Sequence, residues 1–317
     1  MKDPMHSIRF SGFYEGFKPE DSLFWRVANS LGYSFNVVTS RRIPVDLEVH
    51  GSYIRHLDKF KASFSAALLH FGLPSGRDSR EVLSRRYSDN RSGRSSRKIF
   101  ESAENSRVPQ GGWDLSISFD LDPYDGSNFY TPYWWFATDL FQGPIISRVG
   151  RIISIDELRS TRKSIQVPEK FCATVIRNPE AIRMRAIEAL AKIGDIDIFG
   201  PHSGRPLTSK TELEGQYRFI LAFENDLFPG YVTEKPIEAW AMGAIPLWYG
   251  LDKAESLNQE ALINAADFSS LSKFALAVAK IEKNHELWTQ IYQRPLLNIE
   301  PDPDRLIGAI HRLLDSK

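Results

Sequence analysis

Apolar residues follow two rhythms along this chain, short near-continuous runs and longer stretches spaced three and four apart, and the two alternate. Residues 7–14, SIRFSGFY, are apolar-rich and read as a strand. Residues 21–32, DSLFWRVANSLG, place Phe24, Val27 and Leu31 at helical spacing and stop at Gly32. Residues 34–40, SFNVVTS, are strand-like again, which makes a βαβ unit and favours a parallel sheet. In the second half the alternation sharpens. Residues 170–178, KFCATVIRN, form an apolar strand. Asn178 then predicts an N-cap with Pro179 at the first helical position. Ile182, Ala186, Ile187, Leu190 and Ile193 give the following helix one apolar face. Residues 195–200, DIDIFG, and 217–223, YRFILAF, are further strands, and strands apolar on both faces imply a covered parallel sheet.

The block 223–250, FENDLFPGYVTEKPIEAWAMGAIPLWYG, reads as strand, loop, helix, strand. Thr233 suits the N-cap, Glu234, Lys235 and Pro236 occupy the first turn, and Gly243 ends the helix. Ile237, Trp240 and Ala241 face inward. The C-terminal residues 302–317 carry Leu306, Ile307, Ile310, Leu313 and Leu314 on one side, a closing amphipathic helix long enough to reach back to an N-terminal domain. Residues 142–168, with two glycines, two prolines and a charged middle, read as the crossing between domains. The expected organisation is α/β: a parallel-sheet domain over 1–150, a second over 151–302, and helix 303–317 returning to the first. In open α/β sheets the ligand lies beyond the carboxyl ends of the strands, here facing an interdomain cleft.

Length and composition leave this picture standing. The chain has 317 residues, more than single cores usually reach, with 42% hydrophobic and 25% charged positions. Forty basic residues balance forty acidic ones, so no overall field points to nucleic acid or an anionic membrane. One cysteine, Cys172, excludes an internal disulfide and a cysteine-based metal cluster and suits a reducing compartment. The start, MKDPMHSIRFSG, lacks the apolar core of a signal peptide. Residues 133–141, YWWFATDLF, span about half of the ~20 residues a bilayer crossing needs. The expectation is a cytoplasmic protein, with room for peripheral attachment to the inner face of a membrane. Residues 73–98 are rich in Ser, Gly and arginine; they read first as a surface loop and second as a basic rim for a phosphorylated or acidic acceptor.

The chemistry concentrates at the helix entrance. Free amides at a helix N-terminus form an anion site, and Lys235 adds a full positive charge there, which suits a phosphate or diphosphate. Tyr231 and Glu234 are more than a phosphate needs; an acid beside an anion site makes sense if it accepts bonds from sugar hydroxyls. Together they suggest a nucleotide sugar. The alternative is a capped helix with a Glu–Lys pair on the surface.

These residues resemble the α-1,3/4-fucosyltransferases, glycosyltransferase family 10. The resemblance lies in FEN followed by YVTEK, a helix, and the strand G-x-I-P-L-x-Y-G. Upstream, FCATVIRNPEAIRMRAIEAL and DIDIFG look like the family's strand, arginine-bearing helix and next strand, and residues 99–123 look like its N-domain stretch around G-E-N. The similarity runs in order over roughly residues 7 to 300. The family implies a GT-B architecture of two Rossmann-like domains and transfer of L-fucose from GDP-fucose, with inversion, to O3 or O4 of GlcNAc or glucose in a glycan. Asn225, Tyr231, Glu234 and Lys235 stand at its donor-contact positions, Arg183 matches the arginine facing the diphosphate, and Glu104 matches the general base. Such a site needs no metal, a divalent ion at most stimulating it. The resemblance further suggests a bacterial type, acting on lipopolysaccharide or on glycoprotein.

Alternatives remain open at several positions. Glu101 is a second candidate base and Arg185 a second candidate arginine. Asp226 stands where many members have Ser or Thr, and Ala103 replaces the usual glycine before the base; both bear on donor identity. A relative using another nucleotide sugar, or an inactive sugar-nucleotide or glycan-binding protein, would carry much the same sequence. DID (195–197) imitates a D-x-D metal motif within a predicted strand, and DLDPYDG (120–126) imitates a calcium loop but has Tyr124 where an oxygen ligand belongs. The seven histidines form no H-E-x-x-H pair, and no P-loop, G-x-S-x-G or G-x-G-x-x-G occurs.

Overall fold

The computed structural model describes residues 5–52, 96–102, 105–109, 111–141, 150–163 and 166–316. Two compact units emerge, one of Met1–Thr131 with Pro303–Lys317, the other of Pro132–Asp302. The boundary therefore falls nineteen residues before the expected 150. Residues 133–137 turn as a short 3-10 helix with Trp134, Trp135 and Phe136 buried, and Trp134 N donates to Val232 O at 3.3 Å. That contact is tertiary, so no local composition signalled it.

In the first unit, β1 (His6–Ser11), α1 (Leu23–Ser30), β2 (Phe35–Val37), β3 (Leu47–Gly51), β4 (Arg97–Glu101), β5 (Leu115–Ser118) and β6 (Asn128–Tyr130) follow in order. Their sheet runs β2-β1-β3-β4-β5-β6 and every pairing is parallel. β1 stops at Ser11 because Gly12 turns the backbone to φ +73, so the strand is shorter than the apolar run 7–14. Helix α1 buries Leu23, Phe24, Val27 and Ala28.

In the second unit, α2 (Ile155–Arg159) precedes β7 (Lys170–Val175), α3 (Ala181–Leu190), β8 (Ile196–Phe199), β9 (Tyr217–Phe223), α4 (Glu234–Ala241), β10 (Ile245–Tyr249) and β11 (Ile263–Asn264). The sheet order is β11-β10-β9-β7-β8, again all parallel. Helices α5 (Leu271–Glu282) and α6 (His285–Tyr292) follow. The core packs Phe171, Leu190, Phe219, Phe223, Leu247 and Phe274 with Trp288. Strand order reverses between β7 and β9: the chain leaves β7 for β8 on one side, then returns to β9 and β10 on the other. Such switch points are where parallel sheets open a crevice at their carboxyl ends.

Helix α3 begins at Ala181 after Glu180, not at Pro179 with Asn178 as cap. The Asn178 carbonyl is taken by Glu180 N at 3.0 Å and by Arg183 Nη1 at 2.7 Å, which holds residues 178–180 in a turn. The final helix α7 (Asp304–Asp315) belongs to the first unit, where it packs against α1 and β5. Tyr33 donates to Asp315, and Arg97 donates to the carbonyls of Leu313 and Ser316. Among the described residues no helix is long and apolar enough to cross a membrane. Residues 73–95 of the arginine-rich segment lie outside the described residues.

Candidate donor site at the β7–β9 switch point

Two elements carry the sequence-predicted residues to the switch point. Helix α3, leaving β7, brings Arg183; the segment leaving β9 brings Asn225, Tyr231 and the entrance of α4. Thr233 is the N-cap, its Oγ1 accepting from Lys235 N at 3.4 Å. Pro236 sits inside the first turn, where no intrahelical amide donor is lost. Gly243, at φ +79, turns the chain out of the helix into β10, a conformation that costs a side-chain-bearing residue strain.

Glu224, the residue after β9, organises this entrance and was not among the predicted site residues. It is fully buried. Its Oε1 accepts from Thr233 N at 2.9 Å and Trp248 Nε1 at 3.3 Å; its Oε2 accepts from Thr233 Oγ1 at 2.7 Å and Lys235 Nζ at 2.9 Å. A buried carboxylate is tolerable only when so paired. An acid immediately past a seven-residue apolar strand was the signal that could have found it.

Lys235 Nζ also donates to Thr233 Oγ1 at 2.8 Å, and its side chain keeps 23% of its surface exposed. Burial pulls its pKa down, Glu224 and Glu234 raise it by more, and the net shift is upward, so the ammonium stays charged at neutral pH. Glu234 is itself buried at 6% exposure. The entrance is thus not a surface Glu–Lys pair: Glu234 is buried, and Lys235 is partly exposed and paired with Glu224.

Arg183 is buried, and Arg185, the alternative, is exposed. The Arg183 guanidinium donates from Nη1 to Asn178 O at 2.7 Å and from Nη2 to Phe223 O at 3.0 Å and Asn225 Oδ1 at 3.1 Å. These bonds tie the start of α3 to the end of β9. Burial lowers its pKa while Glu180 and Glu224 oppose the shift. Asn225 is exposed apart from this bond, and Tyr231 is buried at 3% exposure, its amide donating to Phe228 O at 3.0 Å. Asp226 is exposed and its Oδ1 accepts from Leu227 N at 2.8 Å.

The arrangement presents two cations, Arg183 and Lys235, that repel each other and share Glu224 as a counterion, at a helix N-terminus. Two cations at a helix N-terminus are chemistry that suits an anion with more than one negative oxygen.

The predicted base Glu104 and its neighbour Ala103 lie outside the described residues. The second candidate base, Glu101, is a structural group. Its carboxylate accepts from Ser22 Oγ at 2.7 Å, Leu23 N at 2.8 Å and Phe24 N at 3.3 Å, capping α1, and it is 2% exposed. Asp197 of the DID motif accepts from Arg205 at 3.0 Å and Tyr217 OH at 2.7 Å, and Asp120 of the DLDPYDG turn from Tyr124 OH at 2.6 Å. Among the described residues no group of three His, Cys, Asp or Glu is placed to hold a metal ion.

The family model for the glycosyltransferase family 10 (fucosyltransferase) C-terminal region matches residues 168–294, which contain every element described at the switch point. Human 4-galactosyl-N-acetylglucosaminide 3-alpha-L-fucosyltransferase FUT6 is 32% identical over 198 residues, covering 59% of this chain and 49% of that protein. Human 3-galactosyl-N-acetylglucosaminide 4-alpha-L-fucosyltransferase FUT3 is 32% identical over 192 residues, covering 57% and 47%. The chain thus spans about half the length of the curated relatives it matches. A crystal structure of an alpha1,3-fucosyltransferase superimposes with a TM-score of 0.71 at 18% identity, covering 99% of this chain and 91% of the other. That likeness shows the fold, an α/β architecture of the GT-B type. Through its residues 168–294 the chain is similar to the C-terminal region of glycosyltransferase family 10.

Proposed function

We propose that this protein transfers L-fucose from GDP-fucose, with inversion, to a hydroxyl of a glycan acceptor, O3 or O4 of GlcNAc or glucose. The observation that carries the reading is the pairing of Arg183 and Lys235 around buried Glu224 at the entrance of α4. Those cations and the positive end of the helix suit a diphosphate, and a GDP-fucose complex is known for a solved structure of the same fold. In this reading Arg183 and Lys235 stabilise the charge growing on the departing GDP. Glu234, Tyr231 and Asn225 contact the rest of the donor. Glu104, by its place in the family pattern, removes the proton from the attacking hydroxyl. The positive charge comes from the protein, so no resident metal is assigned and a divalent ion only stimulates.

Incubating the full chain with GDP-fucose on a glycan array tests the reading, with transfer to a GlcNAc- or glucose-containing glycan as the expected result. Thermal-shift comparison of GDP-fucose, GDP-mannose and uridine sugars tests the donor; stabilisation by no guanine nucleotide would overturn it.

A further inference from the structure

We infer that Glu224 is a positioning residue of the diphosphate site, its carboxylate setting where the Lys235 ammonium stands and keeping it cationic. The inference rests on the donor-site reading above and deepens it.

Three of the four donors to Glu224 come from Thr233 and Lys235, the two residues that flank the first helical position of α4. The fourth, Trp248 Nε1, fixes the carboxylate from β10. One side chain therefore couples the end of β9, the helix entrance and the neighbouring strand. Two of the three N–H groups of Lys235 are engaged, by Glu224 Oε2 at 2.9 Å and Thr233 Oγ1 at 2.8 Å. The third is left for a phosphate oxygen, and the exposed 23% of the side chain is where such an oxygen can reach it.

The charge balance makes the same point. The groups acting on Lys235 are Glu224 at the end of β9, Glu234 on α4 and Arg183 on α3. Burial and Arg183 work against its proton, and the two carboxylates hold it. Without the charge of Glu224, Glu234 is left alone against both, and Lys235 titrates below its ordinary 10.5. A diphosphate site that loses its ammonium within an accessible pH range loses affinity there by linkage.

The test is GDP and guanosine binding to the full chain by calorimetry between about pH 7 and 9.5, for wild type, Glu224→Gln, Glu224→Asp, Lys235→Ala and the double variants. Wild type and Glu224→Asp, which both keep a carboxylate, are each expected to vary in GDP affinity by less than about threefold with pH across the range, Glu224→Asp binding more weakly by a constant factor. Glu224→Gln is expected to lose at least about tenfold toward the alkaline end, a loss of about 1.4 kcal/mol. Guanosine, lacking phosphate, should bind all variants alike. In the Lys235→Ala background, Glu224→Gln should cost less than about twofold more, since its effect passes through the lysine. A Glu224→Gln profile parallel to wild type, or penalties that simply add, overturns the inference. Should Glu224→Gln not fold, the Glu224→Asp and Lys235→Ala cycle decides: the shortened acid should weaken GDP only where Lys235 is present. Wild type that binds no GDP overturns the donor-site reading instead, a separate result.

Discussion

Asn225 Oδ1 accepts a hydrogen bond from Arg183 Nη2 at 3.1 Å, while Phe223 O takes the same nitrogen at 3.0 Å. A planar fork spans the two acceptors, and a lysine ammonium cannot reproduce it. Arg183→Lys is expected to weaken GDP binding by at least about tenfold, because both the charge position and the tie between α3 and β9 change. Asn225→Ala removes one of three bonds and is expected to cost a few-fold, on the order of 1 kcal/mol. Calorimetric GDP titrations of both variants check the order.

Glu104→Gln is expected to lower transfer by at least ~100-fold and leave the GDP dissociation constant unchanged, as loss of a general base should. Steady-state kinetics with GDP-fucose and an acceptor, beside GDP titration, separate the two effects. Full activity in this variant would move the base elsewhere.

Glu101 makes the contrasting case. Burial raises its pKa above the ordinary 4.5, with the bonds from Ser22, Leu23 and Phe24 opposing. The folded chain then holds that proton more tightly than the unfolded chain, so ionisation costs stability as pH rises from about 4.5 toward the folded value. Glu101→Gln keeps an oxygen acceptor for the α1 amides and has no charge. It is expected to flatten the fall in stability above about pH 5 and to leave transfer within about threefold of wild type. Urea unfolding across pH and a single activity assay test both halves.

Arg162 closes the far end of α4. Its guanidinium stacks 3.8 Å from the Trp240 ring centroid and 4.5 Å from that of Tyr292, and donates to the carbonyls of Trp240, Ala244 and Tyr292. Burial lowers its pKa to about 9, still above neutral. Arg162→Met keeps much of the volume but removes the guanidinium bonds to those carbonyls and its stacking on the two rings, leaving Trp240 O with only its bond from Gly243 N at 2.8 Å, an expected cost of about 2–4 kcal/mol in unfolding free energy. Thermal denaturation with and without GDP measures it; an unchanged Tm would contradict the capping role.

The sequence was most legible where each element carries its own signals. From β9 through α4 to β10, apolar runs, the Thr233 cap and Gly243 all act locally, and strand β9 occupies the predicted 217–223. Legibility failed where a distant partner decides. The start of α3 shifted because Arg183 competes for the Asn178 carbonyl, and the unit boundary moved because Trp134 pairs with Val232. Glu224 went unnoticed because an acid beyond a strand reads as loop, and only the folded site reveals its four donors. Arg183 and Lys235 were picked out by a family-like pattern; the carboxylate between them is a tertiary fact.

The most direct measurement is the GDP dissociation constant of Lys235→Ala against wild type, by calorimetry at one fixed, moderate salt concentration. If a cationic helix entrance grips the diphosphate, the variant should bind about 10–100-fold more weakly, the worth of one charge-assisted bond at about 1.5–3 kcal/mol. An unchanged constant in a folded variant would contradict the account, leaving the ammonium beside Glu224 as a purely internal ion pair.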